Sequence, residues 1–296
     1  MRRAKLDRAI LFRVATSTLY ERSVRSLPGG EARAWRAASR YVAGTNEESA
    51  LRCARELAQR GIGASLDFFG EQVDDADLAR SAAARYEALA RRLSELPEGV
   101  WLSIDLSHIG LDIDVALCRT LLERIATALP ARRRLQVGAE DASRAERILD
   151  AVLPLARDGA PLGATLQANL RRSEDDAERL AEAGLHTRLV KGAYLESPAL
   201  ARRYGEETDL AFVRLAHRLG DTGVPLALAT HDRVLREALL RALPAAECEL
   251  LLGANELRFE RSRLKAFVYL RRGEAPGRLP GASQREFADV VMVERR

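Results

Sequence analysis

The sequence has few of the residues that staple or clip small domains. It carries three cysteines in 296 residues, Cys53, Cys118 and Cys248, far apart and without a CxxC pair. That excludes a disulfide framework and a cysteine-paired zinc site, and it fits a reducing, cytoplasmic compartment with no bound metal. Aromatic residues make up only 5%, too few to interleave with basic residues as stacking platforms for single-stranded nucleic acid. Charge of one sign is also missing: 47 Lys+Arg face 43 Asp+Glu, a net +4. The basic residues therefore read as solvated, Arg- and Glu-rich helix faces rather than a nucleic-acid footprint. No apolar run approaches the ~20 residues of a membrane span. The N-terminal stretch 1–27 is basic and amphipathic, but Asp7 and Arg13 interrupt any signal-peptide core, so it reads as a helix. Such a helix could also touch an anionic membrane surface.

What is present is alternation. Short β-rich runs at 64–69, 101–106, 134–139, 164–170, 187–191, 225–230, 247–252 and 265–270 are separated by amphipathic helical stretches such as 77–93, 115–129, 143–155, 174–183 and 233–243. Parallel neighbours need a crossover helix, so strand–helix alternation implies a parallel sheet. Eight such units predict an α/β fold of the (β/α)8-barrel type. The rival, a doubly wound open sheet, would show a glycine-rich phosphate turn after its first strand, and DFFGEQV is not one. Residues 1–60 are expected to form a helical extension packed on the barrel, with helices near 2–26, 31–43 and 46–60 and Asn46 capping the last. Residues 61–296 are expected to form the barrel itself.

Reacting groups in such barrels lie at the C-terminal ends of the strands. These ends offer Asp105, the run Val137-Gly138-Ala139-Glu140, then Gln167 and Asn169, Arg188 and Lys191, and Thr230-His231-Asp232. Arg188, Lys191 and His231 stand inside otherwise apolar runs. A buried charge costs several kcal/mol unless a partner offsets it. Converging cationic and amide groups would suit an anionic or electron-rich ligand. The competing reading is a set of ion pairs with Glu140, Asp141 and Asp232 that only closes the barrel top.

These residues resemble a known family. RLVKGAYLE (188–196), ATHD (229–232), LQANLRR (166–172) and the stretch 40–71 are together similar to the proline dehydrogenases. The likeness runs from about residue 40 to about 255. It implies a distorted (β/α)8 barrel that binds FAD non-covalently, oxidises L-proline to Δ1-pyrroline-5-carboxylate by hydride transfer, and passes electrons to a membrane quinone, acting in proline catabolism. Carried over by position, Arg188 is the catalytic group, near flavin N5, where a cation favours negative charge on the reduced ring. Gln167 would hydrogen-bond the flavin, Lys191, Gly192 and Ala193 would line it, Thr230 and His231 would contact it, and Val137 would offer its backbone.

Parts of the expected substrate pocket depart from the family. Asp105, in SIDLS, stands where the family has a lysine that helps hold the proline carboxylate. Gly138, in VGAED, stands where the family has an aspartate. The family's Tyr-x-x-Arg-Arg helix has no positional match: Tyr269-Leu270-Arg271-Arg272 falls on a predicted strand, where the arginines read as a solvated end. A carboxylate facing a carboxylate is repelled by about 4 kcal/mol at contact near a surface. Three functions therefore compete: oxidation of proline or a related cyclic imino acid, a diverged flavin-dependent amine oxidoreductase in which Asp105 meets a cation, and a non-catalytic flavin-binding barrel.

Overall fold

The computed structural model describes residues 43, 46–69 and 72–252, together with the backbone of 264–271. Eight parallel strands form one closed barrel in sequence order: β1 (Gly63–Phe69), β2 (Val100–Ile104), β3 (Leu135–Val137), β4 (Leu162–Gln167), β5 (His186–Val190), β6 (Leu226–Ala229), β7 (Glu247–Leu251) and β8 (Leu264–Arg271). Closure is made by β8 pairing with β1 from Gly63↔Lys265 to Phe69↔Arg271. Among the described residues the helices are α1 (Glu47–Gln59), α2 (Ala76–Arg92), α3 (Val115–Thr127), α4 (Ala145–Arg157), α5 (Ser173–Glu182), α6 (Glu206–Thr222) and α7 (Arg233–Ala242). A short 3-10 helix, Leu106–Ile109, follows β2. All eight expected strands are present. The expected helices at 2–26 and 31–43 fall outside the described residues, apart from residue 43.

Caps written in the sequence start several helices. The side chains of Asn46, Asp75, Asp114 and Asp232 each accept backbone N–H groups of the following first turn. Each satisfies donors that the helix itself leaves open. Helix α6 was not among the predicted stretches. It begins after Gly205 without a side-chain cap, and its first turn carries Glu206, Glu207 and Asp209.

The core lies between the barrel and its helices. Leu66, Leu102, Ile104, Leu135, Leu189 and Leu228 are fully buried there against helix residues such as Leu89, Leu122 and Phe212. The barrel interior is different. Arg188 on β5 contacts Ser65 on β1, Ser103 on β2 and Glu249 on β7, which a side chain can do only by crossing the interior. Strand alternation then places Gln136 and Thr165 on the same inner face, where Gln136 Nε2 donates to Thr165 Oγ1 at 3.5 Å. Barrels of this type usually fill that space with branched apolar residues. Here, among the described residues, its middle holds the polar and charged side chains of Ser65, Ser103, Arg188 and Glu249.

Candidate functional site

The site follows from that polar interior. Arg188 and Glu249 are both nearly inaccessible to solvent, and Arg188 Nε donates to Glu249 Oε2 at 2.6 Å. The other carboxylate oxygen, Oε1, lies 3.6 Å from Arg134 Nη2. Arg134 in turn stacks over the Trp101 ring at 3.9 Å from its centroid. Burial pulls the Arg134 guanidinium down to about 10, against the pull of Glu249 and Glu247. Burial likewise lowers His186, whose Nε2 lies 3.7 Å from Glu247 Oε2. A charged column thus runs through the barrel beneath its C-terminal mouth, with Arg188 one inward-facing step below the end of β5.

At the end of β5, Lys191 Nζ bridges Asp209 Oδ1 at 2.6 Å and Asp232 Oδ2 at 2.8 Å. Gly192 follows with φ +99°. A Cβ added to it would stand 1.9 Å from Asn169 Oδ1, so only glycine permits this approach of β5 to the end of β4. Asn169 is pinned by its backbone, which donates to Lys191 O at 3.0 Å and accepts from Arg202 N at 2.7 Å. Its Oδ1 is buried and accepts no hydrogen bond among the described residues. Gln167 is buried, with Nε2 donating to Glu140 O at 2.8 Å. Ala193 and His231 are half-buried beside them. Thr230 is buried, and its Oγ1 accepts from Asp232 N at 3.1 Å.

On the other side of the mouth, Asp105 is half-buried after β2 and Gly138 follows β3. A Cβ built on Gly138 would meet Asp105 Oδ1 at 1.8 Å, so the Asp105 carboxylate fills the space a side chain at 138 would need. Val137 is fully buried, and its carbonyl accepts from Thr165 Oγ1 at 2.7 Å. Three loops meet at Ser107. Its backbone N–H donates to Glu140 Oε1 at 2.9 Å, its hydroxyl accepts from Gln72 N at 3.1 Å, and its carbonyl accepts from Val73 N at 3.0 Å. Burial holds the Glu140 carboxyl above the usual carboxylate range. On β1, Asp67 accepts from Tyr86 Oη at 2.7 Å, and burial, helped by the negative charges of Asp67 and Asp105, pushes that phenol well up.

The structure therefore brings Gln167, Arg188, Lys191, Gly192, Ala193, Thr230 and His231 to three adjacent strands, and Asp105, Val137 and Gly138 to the neighbouring pair. Of the ion pairs expected for the strand-five cations, Lys191 with Asp232 is present. Glu140 and Asp141 instead face Arg144, which has its own strand-three side of the barrel to serve. Arg188 takes Glu249, which the sequence reading did not single out. The signal was there: in ECELL, Glu247 and Glu249 share one face of a strand whose other face is apolar. Among the described residues, no group of three His, Cys, Asp or Glu could hold a metal, and no helix is long and apolar enough to cross a membrane.

The donor set at β4–β6 fits a flavin on chemical grounds. It offers amide, hydroxyl and cationic groups on neighbouring strand ends, with one buried acceptor, Asn169 Oδ1, that a ring N–H could satisfy.

Comparison with known proteins points the same way. Residues 50–233 match the family described as proline dehydrogenase. The chain is 32% identical over 196 residues to proline dehydrogenase 1 of Bacillus subtilis, a match covering 66% of this chain and 65% of that protein. It is 30% identical over 232 residues to proline dehydrogenase of Deinococcus radiodurans, covering 75% of this chain and 73% of that protein. Among solved structures, proline utilization A from Bdellovibrio bacteriovorus, inactivated by N-propargylglycine, superposes with a TM-score of 0.79 at 17% identity, over 96% of this chain and 36% of that one. Proline utilization A from Bradyrhizobium japonicum superposes with a TM-score of 0.71 at 19% identity, over 89% and 31%. At those identities the superpositions show the fold, while the sequence matches show the family. This chain, an eight-stranded (β/α)8 barrel with a charged interior, belongs to the proline dehydrogenase family.

Proposed function

We propose that the chain binds FAD at the ends of β4–β6 and oxidises L-proline, or a related cyclic imino acid, to Δ1-pyrroline-5-carboxylate, as a step of proline catabolism. The observation that carries this reading is Arg188: a guanidinium held by three other strands across the barrel interior, on a segment that matches the family. In the reaction a ring C–H bond breaks, its electron pair leaves as hydride, and the ring nitrogen loses a proton as the C=N bond forms. Bound FAD would supply the hydride acceptor. Arg188 places positive charge where the acceptor gains negative charge. Gln167 and Thr230 offer hydrogen bonds to hold the cofactor. Lys191, through Asp209 and Asp232, fixes the β5 and β6 loop ends on which Gly192, Ala193 and His231 sit. A quinone at the membrane surface is the proposed electron acceptor.

The test is optical. Purified protein should be yellow, or become so with added FAD, and L-proline should bleach the flavin band in a stopped-flow cell. Protein that stays colourless with FAD favours a non-catalytic barrel. Loaded protein that is not bleached at high proline rejects proline as the substrate.

The second reading, a flavin-dependent oxidoreductase of amines, is favoured by one observation: the Asp105 carboxylate fills the space above Gly138. There it suits a cationic amine better than a carboxylate. Under this reading Asp105→Lys abolishes turnover of the amine substrate, and unchanged turnover rejects it.

A further inference from the structure

Glu249 has no part in the reading above, yet it makes the shortest contact to the group on which that reading turns. Its carboxylate is held from two sides, by Arg188 Nε at 2.6 Å and by Arg134 Nη2 at 3.6 Å. Arg134 is itself fixed against the Trp101 ring, so the carboxylate has little freedom to follow Arg188 elsewhere. The remaining nitrogens of Arg188, Nη1 and Nη2, reach Ser103 Oγ and Ser65 Oγ at 3.3 and 3.4 Å. These are long, neutral contacts, weaker than the charge-assisted bond to Glu249. Among these contacts, the bond to Glu249 does most to set the plane and position of the guanidinium.

The same contact governs how much charge Arg188 shows to a ligand. An isolated guanidinium acts on a nearby ring as a full positive charge. A guanidinium in contact with a carboxylate acts as a dipole, whose field falls off more steeply with distance. Both groups are almost wholly buried, so water screens this effect little.

We propose that Glu249 is a positioning residue that fixes Arg188 and attenuates its charge, thereby setting how readily a flavin bound at the mouth accepts electrons. The proposal rests on the flavin reading above. It concerns the strength of that site as an oxidant rather than the identity of its substrate.

The experiment is a dye-equilibrated redox titration of the full chain loaded with FAD, comparing wild type with Glu249→Gln, Glu249→Asp, Arg188→Gln and the double variant Arg188→Gln/Glu249→Gln. Glu249→Gln should shift the midpoint potential of the bound flavin to a more positive value, because the carboxylate that offsets Arg188 at 2.6 Å is then gone. Glu249→Asp keeps the charge but is one methylene short of contact, so its potential should lie between those of wild type and Glu249→Gln. It also carries the test if Glu249→Gln does not fold. In the Arg188→Gln background the buried Glu249 carboxyl, deprived of its nearest cation, is driven towards its neutral form, so Glu249→Gln should shift the potential by less than it does with Arg188 present. A wild-type potential in both Glu249 variants overturns the proposal, as does an equal shift in the presence and absence of Arg188. A wild-type chain that takes up no flavin overturns the flavin reading itself, a different and visible outcome.

Discussion

The carboxylate of Asp105 and the α-carbon of Gly138 share one small space: a Cβ at residue 138 would lie 1.8 Å from Asp105 Oδ1. Two of the positions expected to depart from the family's pocket are thus coupled in space: the side chain after β2 occupies the room that one after β3 would need.

Coupling between those positions is the first expected outcome. Gly138→Asp alone should strongly destabilise the fold or expel Asp105, since two carboxylates would compete for one volume. Asp105→Lys/Gly138→Asp should be better tolerated than Gly138→Asp. Denaturant midpoints of the two single variants and the double variant should give a coupling of about 1–3 kcal/mol. Additive effects would mean that the side chains do not share the space.

Arg188 and Glu249 should behave as a buried pair. Removing one partner, as in Arg188→Met, leaves an uncompensated charge and should cost about 3–5 kcal/mol of stability. Replacing both, as in Arg188→Met/Glu249→Leu, should recover most of that loss. Urea unfolding of the two proteins is the check, and equal losses would contradict the pairing.

Asp232 has two tasks where Asp209 has one. It caps α7, accepting from Val234 N and Leu235 N at 3.2 and 3.3 Å, and it also pairs with Lys191. Asp232→Ala should therefore cost more than Asp209→Ala, by about 1 kcal/mol for the lost cap. Thermal unfolding of the two variants decides this.

His186 gives stability a pH dependence. Burial depresses its folded-state value below the ordinary 6.5. As pH falls below that value the unfolded chain binds a proton that the folded chain refuses, so this contribution is present above pH 6.5 and is lost as pH falls through the depressed value. Wild-type stability should drop between pH 7.5 and 5.5 by more than that of His186→Gln, as read from urea midpoints at about those two values. Equal slopes would contradict it.

The barrel was legible because each strand is a short buried run set between helical periods and polar turns, and all eight fall where that pattern puts them. The Asn46 cap was legible for the same local reason. Helix α6 was not, since its start has no side-chain cap to announce it. The strand ends carrying Gln167, Arg188, Lys191 and Thr230 were found by position. Their partners were not, except Asp232, because pairing is a matter of three dimensions: Glu249 lies 61 residues from Arg188 and meets it only once the sheet closes. The Asp105–Gly138 relation was hidden likewise, since a glycine in sequence does not say what fills the room it leaves.

Ser107 joins the loops that follow β1, β2 and β3 through its amide, hydroxyl and carbonyl together. Gln72, Val73 and Glu140 are thereby tied to one residue, so a substitution at Ser107 will be felt on both sides of β2 at once.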